Sequence, residues 1–146
     1  MKRFETCISI EAPPAAIWPI LSNVVSWADW LPTVRRVLPL DGDDLAPGRR
    51  FKVWQPRLPA NVLRVSLLQP PRRFVWGSRS PGLQAVADHV IEEPTPGRSQ
   101  VTLSVEFSGW LSGIVTAIYG RLTQQYIEQE AASLKARVLG AQTDPE

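Results

Sequence analysis

The sequence is poor in the side chains that form disulfides and metal sites. Among 146 residues it contains one cysteine, Cys7, and one histidine, His89. A single cysteine excludes an internal disulfide, and this pair is too small a set for the usual Cys/His zinc sites. We therefore expect no metal, no cofactor and a reduced, cytoplasmic compartment.

Long apolar runs are also missing. The most apolar stretch, residues 111–122, is too short to cross a bilayer and contains Arg121. The charged start at residues 1–7 is not followed by the apolar run of a secretory signal. We expect no stable membrane insertion. The length and the 44% apolar content predict a single domain at residues 1–140 and a disordered tail at 141–146.

Motifs for phosphate binding and nucleophilic catalysis are absent. The glycines near residue 42 and at 109–113 lack phosphate-loop spacing, and no serine lies in a Gly-x-Ser-x-Gly setting. The net charge is only +2, but segment 35–79 holds ten basic and three acidic residues, a local balance of +7. An arginine-rich solvent face explains this segment, and no nucleic-acid motif accompanies it. We predict no nucleic-acid partner, and a module that docks an anionic partner through this segment remains an alternative.

The chain does contain a series of strands followed by one long helix. Alternation of apolar and polar residues, with turn residues between the runs, predicts strands at 3–11, 33–40, 49–55, 61–69, 72–80, 83–93 and 100–108. Pro14 starts a short helix at 14–21, and a second short helix is expected around Trp27 and Trp30. The short connections predict an antiparallel meander.

The long helix is predicted at residues 110–139, ending at Gly140 and bending slightly at Gly120. The apolar residues that recur along it at helical spacing are Leu111, Val115, Ile118, Leu122, Ile127, Ala131, Leu134 and Val138. Seven antiparallel strands curve, and one helix about 10 Å wide cannot fill the concave side. We predict an α+β fold with a cavity between sheet and helix, and exposed sheet edges also permit a homodimer.

Several segments resemble the START-like superfamily, and more narrowly its polyketide cyclase/dehydrase branch, also called SRPBCC proteins. The segments are 12–18, 27–32, 47–53, 55–56, 74–76, 81–82, His89, 107–109 and 130–135. The resemblance spans about residues 3–139. It implies a helix-grip fold that encloses a hydrophobic cavity for lipids, polyketides or other apolar molecules. It does not imply one reaction, because members include both binding proteins and enzymes.

His89 is the candidate catalytic residue, because imidazole is the side chain suited to acid/base work near neutrality. If Ala85, Ala87, His89 and Ile91 share the inward face of their strand, His89 points into the cavity. It could act as an acid/base, anchor a ligand, or simply be hydrogen-bonded in the wall. These three readings remain open at this stage.

The six tryptophans suit a cavity lining but also an ordinary core. Gln55 could bind a ligand carbonyl or hydroxyl, or equally a loop backbone beside Pro56. Tyr126 could reach the cavity, although core packing is favoured, and Trp54 is expected to cover a sheet edge or a partner surface. The predicted ligand-binding set is Trp30, Phe51, Val53, Gln55, Phe74, Trp76, Ala87, His89, Leu103, Ile118, Leu122 and Tyr126. We expect binding of a small hydrophobic molecule, with a polyketide aromatase/cyclase or dehydratase using His89 as the alternative.

Overall fold

The computed structural model describes residues 2–143, which form one curved antiparallel sheet crossed by a long helix. Seven strands are present in this range: β1 (Lys2–Ile10), β2 (Arg36–Pro39), β3 (Arg50–Trp54), β4 (Asn61–Gln69), β5 (Arg73–Ser80), β6 (Leu83–Thr95) and β7 (Arg98–Ser108). Their order in the sheet is β1-β7-β6-β5-β4-β3-β2. The predicted helix-grip architecture is confirmed, and the strand bounds differ from the predicted ones by at most three residues.

Tight turns produce this meander. Gly82 and Gly97 have φ values of +80° and +82°, a conformation that other residues rarely adopt, and they join β5 to β6 and β6 to β7. Irregularities in pairing occur between Val65 and Leu67 and between Glu92 and Thr95. Such bulges increase the local twist and so help the sheet to curl around the helix.

Two short helices close one end of the sheet. Helix α1 (Pro14–Leu21) has proline in its first turn, as predicted, and a 3₁₀ helix (Val24–Asp29) follows it. Trp27 in the 3₁₀ helix is buried, and its indole Nε1 donates to the carbonyl of Leu21 at 3.0 Å. This bond satisfies the indole donor inside the core.

The long helix α2 (Ser112–Thr143) packs mainly on β1 and β7. Its C-terminal half buries Ile127, Ala131, Leu134 and Val138, as the periodicity predicts. Gly140 does not end the helix, because glycine inside a helix costs only about 1 kcal/mol and the turn before it is held by buried Val138. Of the tail predicted at 141–146, residues 144–146 lie outside the described residues.

Gly120 allows α2 to approach the sheet closely. It is buried, and a Cβ atom at this position would lie 3.0 Å from Cζ of Phe4 on β1. The glycine therefore serves packing between α2 and β1, whereas the bend predicted there stays a prediction.

The basic segment 35–79 is spread over β2, β3, β4 and β5 rather than gathered on one element. Some of its arginines pair with acids: Arg50 contacts Asp41 at 3.0 Å, and Arg73 contacts Asp88 at 2.8 Å. Arg64 is exposed and donates to the carbonyl of Gly48. Much of this charge is therefore solvated or locally neutralised on the sheet surface.

Candidate functional site

A cavity of about 360 Å³ lies between the concave face of the sheet and α2. Its volume is in the lower part of the range of about 300–1,000 Å³ that is typical of small-molecule pockets. Its walls come from the 3₁₀ helix, the β3–β4 loop, strands β3 to β7 and one side of α2. The main lining residues are Trp27, Val34, Val53, Gln55, Leu58, Leu63, Trp76, Ala85, Ala87, His89, Val105, Phe107, Val115, Tyr119, Thr123, Tyr126, Ile127 and Glu130.

His89 on β6 forms part of the cavity wall and is 4% exposed. Its ring stacks on Phe74 with centroids 4.0 Å apart and planes 8° apart. Nδ1 lies 3.2 Å from the carbonyl oxygen of Phe74. Because that oxygen can only accept, Nδ1 carries the hydrogen, and Nε2 is an acceptor. Nε2 has no hydrogen-bond partner among the residues that the structure describes.

Burial determines the charge of this imidazole. Desolvation lowers the pKa of His89 to about 4, and this effect outweighs the opposing influences of the Phe74 carbonyl and of Asp88. Trp27 and Trp76 close the apolar surroundings, with ring centroids 5.9 Å and 6.2 Å from the imidazole. His89 is therefore a neutral acceptor at neutral pH.

Glu130 on α2 brings a carboxyl group into the same cavity. Burial raises its pKa to about 7, although the neighbouring Thr33 side chain acts in the opposite direction. The Thr33 hydroxyl is itself buried without a hydrogen bond of normal geometry in the described chain. Glu130 also has no basic partner among the described ion pairs, so an uncompensated acid faces the cavity at a pKa suited to proton transfer near neutrality.

The β3–β4 loop covers one side of the cavity and is fastened to α2. The hydroxyl of Tyr126 donates a hydrogen bond to the carbonyl of Pro56. The next residue, Arg57, has a left-handed φ of +68°. The side-chain amide of Gln55 lines the cavity without a protein partner among residues 2–143. The loop thus places an unpaired amide beside an apolar wall.

A wider depression of about 500 Å³ lies beside Arg72, Arg73 and Glu93 at the ends of β5 and β6. It is a surface feature whose two arginines are paired, Arg73 with Asp88 and Arg72 with Glu93 at 3.9 Å. Within residues 2–143 no cluster of three or more metal-ligating side chains is found. No helix in that range has the length and apolarity needed to cross a bilayer.

The family profile described as "Polyketide cyclase / dehydrase and lipid transport" matches residues 1–139. The chain belongs to this polyketide cyclase/dehydrase family. The resemblance to the polyketide cyclase/dehydrase branch is thereby confirmed. No curated protein matches the sequence.

Solved structures with the same fold include an aromatase/cyclase, a START superfamily protein and a plant enzyme. Zhui aromatase/cyclase from Streptomyces sp. R1128 has TM-score 0.75 and 14% identity, over 95% of this chain and 94% of that one. A START superfamily protein from Mycobacterium smegmatis has TM-score 0.73 and 13% identity, over 95% of this chain and 98% of that chain. Norcoclaurine synthase from Thalictrum flavum has TM-score 0.75 and 13% identity, over 94% and 86%. At such identities the likeness shows the fold alone.

The structure places half of the predicted ligand-binding residues of this family member at the cavity. Val53, Gln55, Trp76, Ala87, His89 and Tyr126 line it. The other six do not. Phe51, Phe74 and Leu103 are buried in the core, Trp30 packs against the core, Leu122 is half-buried away from the cavity, and Ile118 is 65% exposed.

Two physical features account for the positions of these side chains. Phe74 is covered by Trp18 of α1 and Trp27 of the 3₁₀ helix, and Phe51 is fully buried against Trp76. Ile118 was assigned from its helical phase with Leu111 and Leu122, whereas the side of α2 that faces the cavity carries Tyr119 and Thr123. A helix face that borders a hollow can be polar, so apolar periodicity alone misplaces it.

The sequence interpretation also missed Trp27 and Glu130. The sequence places Trp27 on the second short helix but does not single it out as a lining residue. Glu130 lies three residues after Ile127 and four before Leu134, both buried, and four residues after Tyr126. An acid within a buried helical stripe is the signal that could have found it.

Proposed function

We propose that this protein binds a small, largely apolar molecule carrying a polar group in the cavity between the sheet and α2. The observation that supports this is the combination of a hollow with polar groups that have few protein partners. Nε2 of His89 and the side-chain amide of Gln55 have none among the described residues, and the carboxyl of Glu130 has only the Thr33 side chain. Buried polar groups normally have partners. A ligand with a hydroxyl or carbonyl group would supply them.

Binding can be tested with N-phenylnaphthylamine, a neutral apolar dye that fluoresces in dry surroundings. We expect saturable enhancement with one site per chain, and displacement by small aromatic or polyketide-like compounds. Ala85→Leu adds bulk inside the cavity and should weaken dye binding about tenfold. Ala132→Leu, at an exposed position of α2, is the matched control. Absence of saturable binding by the folded protein would contradict the proposal.

A second candidate function is dehydration or cyclisation of a polyketide-like substrate. Two titratable groups with pKa values displaced in opposite directions, His89 to about 4 and Glu130 to about 7, favour it. In a dehydration, Nε2 of His89 would take the proton from the carbon next to a carbonyl. Protonated Glu130 would give its proton to the departing hydroxyl, which leaves as water.

The two functions are separable by mutation. His89→Ala should abolish conversion of a β-hydroxyketone to its conjugated enone, followed by ultraviolet absorbance, while dye binding persists. Equal loss of turnover and of dye binding would speak against a catalytic histidine. Dye binding without any turnover in the unmutated protein would leave binding as the function.

A further inference from the structure

Large apolar side chains are presented to solvent where α2 begins. Trp110, Ile114 and Ile118 are 81%, 60% and 65% exposed, respectively. Because they are four residues apart, they lie along one side of the helix and of the turn before it. We call them the apolar stripe. Among described residues the other exposed large apolar side chains are Leu40, just after β2, and Val62 on β4, and each is only about 40% exposed.

The stripe is a fixed feature of the fold. Leu111 donates its backbone N–H to the carbonyl of Gly82 at 2.8 Å, which ties the start of α2 to the β5–β6 turn. The Trp110 indole lies directly over Gly82, where a Cβ atom would come within 2.7 Å of it. Val115 and Tyr119, each one residue further along and about 100° further round the helix, line the cavity. The stripe and the cavity wall are therefore neighbouring faces of the same helical turns.

Three segments that border the cavity carry charge of one sign, whereas β1, which packs on α2 at Gly120, carries both signs. Segments 55–61, 77–87 and 107–127 form the β3–β4 loop, the β5–β6 turn and the first half of α2, and they contain no aspartate or glutamate. They contain Arg57, Arg79 and Arg121, all exposed. None of these three arginines forms an ion pair with another described residue. This end of the molecule is thus both apolar and basic.

We propose that the apolar stripe, with Arg57, Arg79 and Arg121, docks reversibly on an anionic lipid bilayer. Tryptophan and isoleucine are suited to the interface between headgroups and acyl chains, and arginines are attracted to anionic headgroups. Two copies of the chain meeting face to face through this surface would bring the same arginines together. The charge therefore favours a lipid surface over a second copy. The proposal does not depend on what the cavity binds.

Vesicle flotation tests this docking on the intact protein. Vesicles of phosphatidylcholine with one-third phosphatidylglycerol should carry the protein, and pure phosphatidylcholine vesicles should carry far less. Ile114→Gln combined with Ile118→Gln should reduce binding to the anionic vesicles at least about tenfold. Arg121→Gln should reduce this binding about fivefold. Added salt should weaken the binding of the unmutated protein to anionic vesicles.

Leu40→Gln combined with Val62→Gln removes two exposed apolar side chains elsewhere and should leave flotation unchanged. Thermal unfolding and dye binding verify that every variant is folded. Failure of the unmutated protein to float with anionic vesicles would overturn the proposal, as would equal flotation of the Ile114/Ile118 variant. The unmutated protein could instead dimerise at high concentration without binding vesicles. If the Ile114/Ile118 variant abolished this dimerisation, the stripe would be an interface with a second copy of the chain.

Discussion

Glu130→Gln tests the site through the pH dependence of stability. The folded-state pKa of Glu130 is raised from the ordinary 4.5 to about 7, because its carboxyl is enclosed. The contribution of this group to the free energy of unfolding is fully present below pH 4.5, where the carboxyl is neutral in both the folded and the unfolded state. It is lost as the pH rises through 7, because the unfolded chain releases the proton first. Each pKa unit corresponds to about 1.4 kcal/mol, so the ionised carboxyl costs roughly 3 kcal/mol.

Glutamine keeps the shape of the side chain but removes this cost. The variant should match the unmutated protein at pH 4.5 and exceed its free energy of unfolding by up to about 3 kcal/mol at pH 8. Urea unfolding followed by tryptophan fluorescence between these pH values measures the difference. Glu128→Gln, exposed on the same helix, is the control and should change stability by less than about 0.5 kcal/mol. A difference between Glu130→Gln and the unmutated protein that does not vary with pH would refute the reasoning.

Three further predictions concern other contacts. His89 has a pKa of about 4 in the folded state and 6.5 ordinarily, so acid should destabilise the protein as pH falls from 6.5 to 4; His89→Gln should lessen this loss in urea unfolding. Tyr126→Phe removes the hydrogen bond to the β3–β4 loop, should cost about 1 kcal/mol, and should speed amide hydrogen exchange there. Gly120→Ala should destabilise by about 1 kcal/mol, since its Cβ would press on Phe4, whereas Gly113→Ala meets nothing within 4 Å and should be neutral or slightly stabilising in thermal melts.

The sheet could be predicted because its strands are delimited by local chemistry. Proline and glycine pairs such as Pro81-Gly82 mark the turns, and the alternation in β7 leaves one choice of inward face. The bounds of α1 and β4 agree with the prediction at both ends. Local rules failed at Gly140, because helix termination there depends on tertiary packing rather than on the residue itself.

The site could be predicted only in part. The alternation of residues along a strand tells which side chains face inward, but it does not tell whether they face a packed core or the cavity. Phe74 and Trp76 share a face of β5. Phe74 is covered by Trp18 and Trp27, whereas Trp76 reaches the cavity. The distinction comes from where the short helices end above the sheet. That position is a property of the assembled fold and leaves no local trace in the sequence.

The composition of the cavity wall argues that the hollow is more than imperfect packing. A void left by poor packing would be lined by apolar side chains. Larger side chains there would fill the void and stabilise the folded protein. Here the wall contains small Ala85 and Ala87 beside a neutral imidazole and an enclosed carboxyl, and the latter destabilises the folded chain at neutral pH. Replacing Glu130 by an uncharged residue would relieve that cost. A chain that carries such a residue at the cavity therefore has a stability deficit that a bound polar group, by hydrogen-bonding the carboxyl, would reduce.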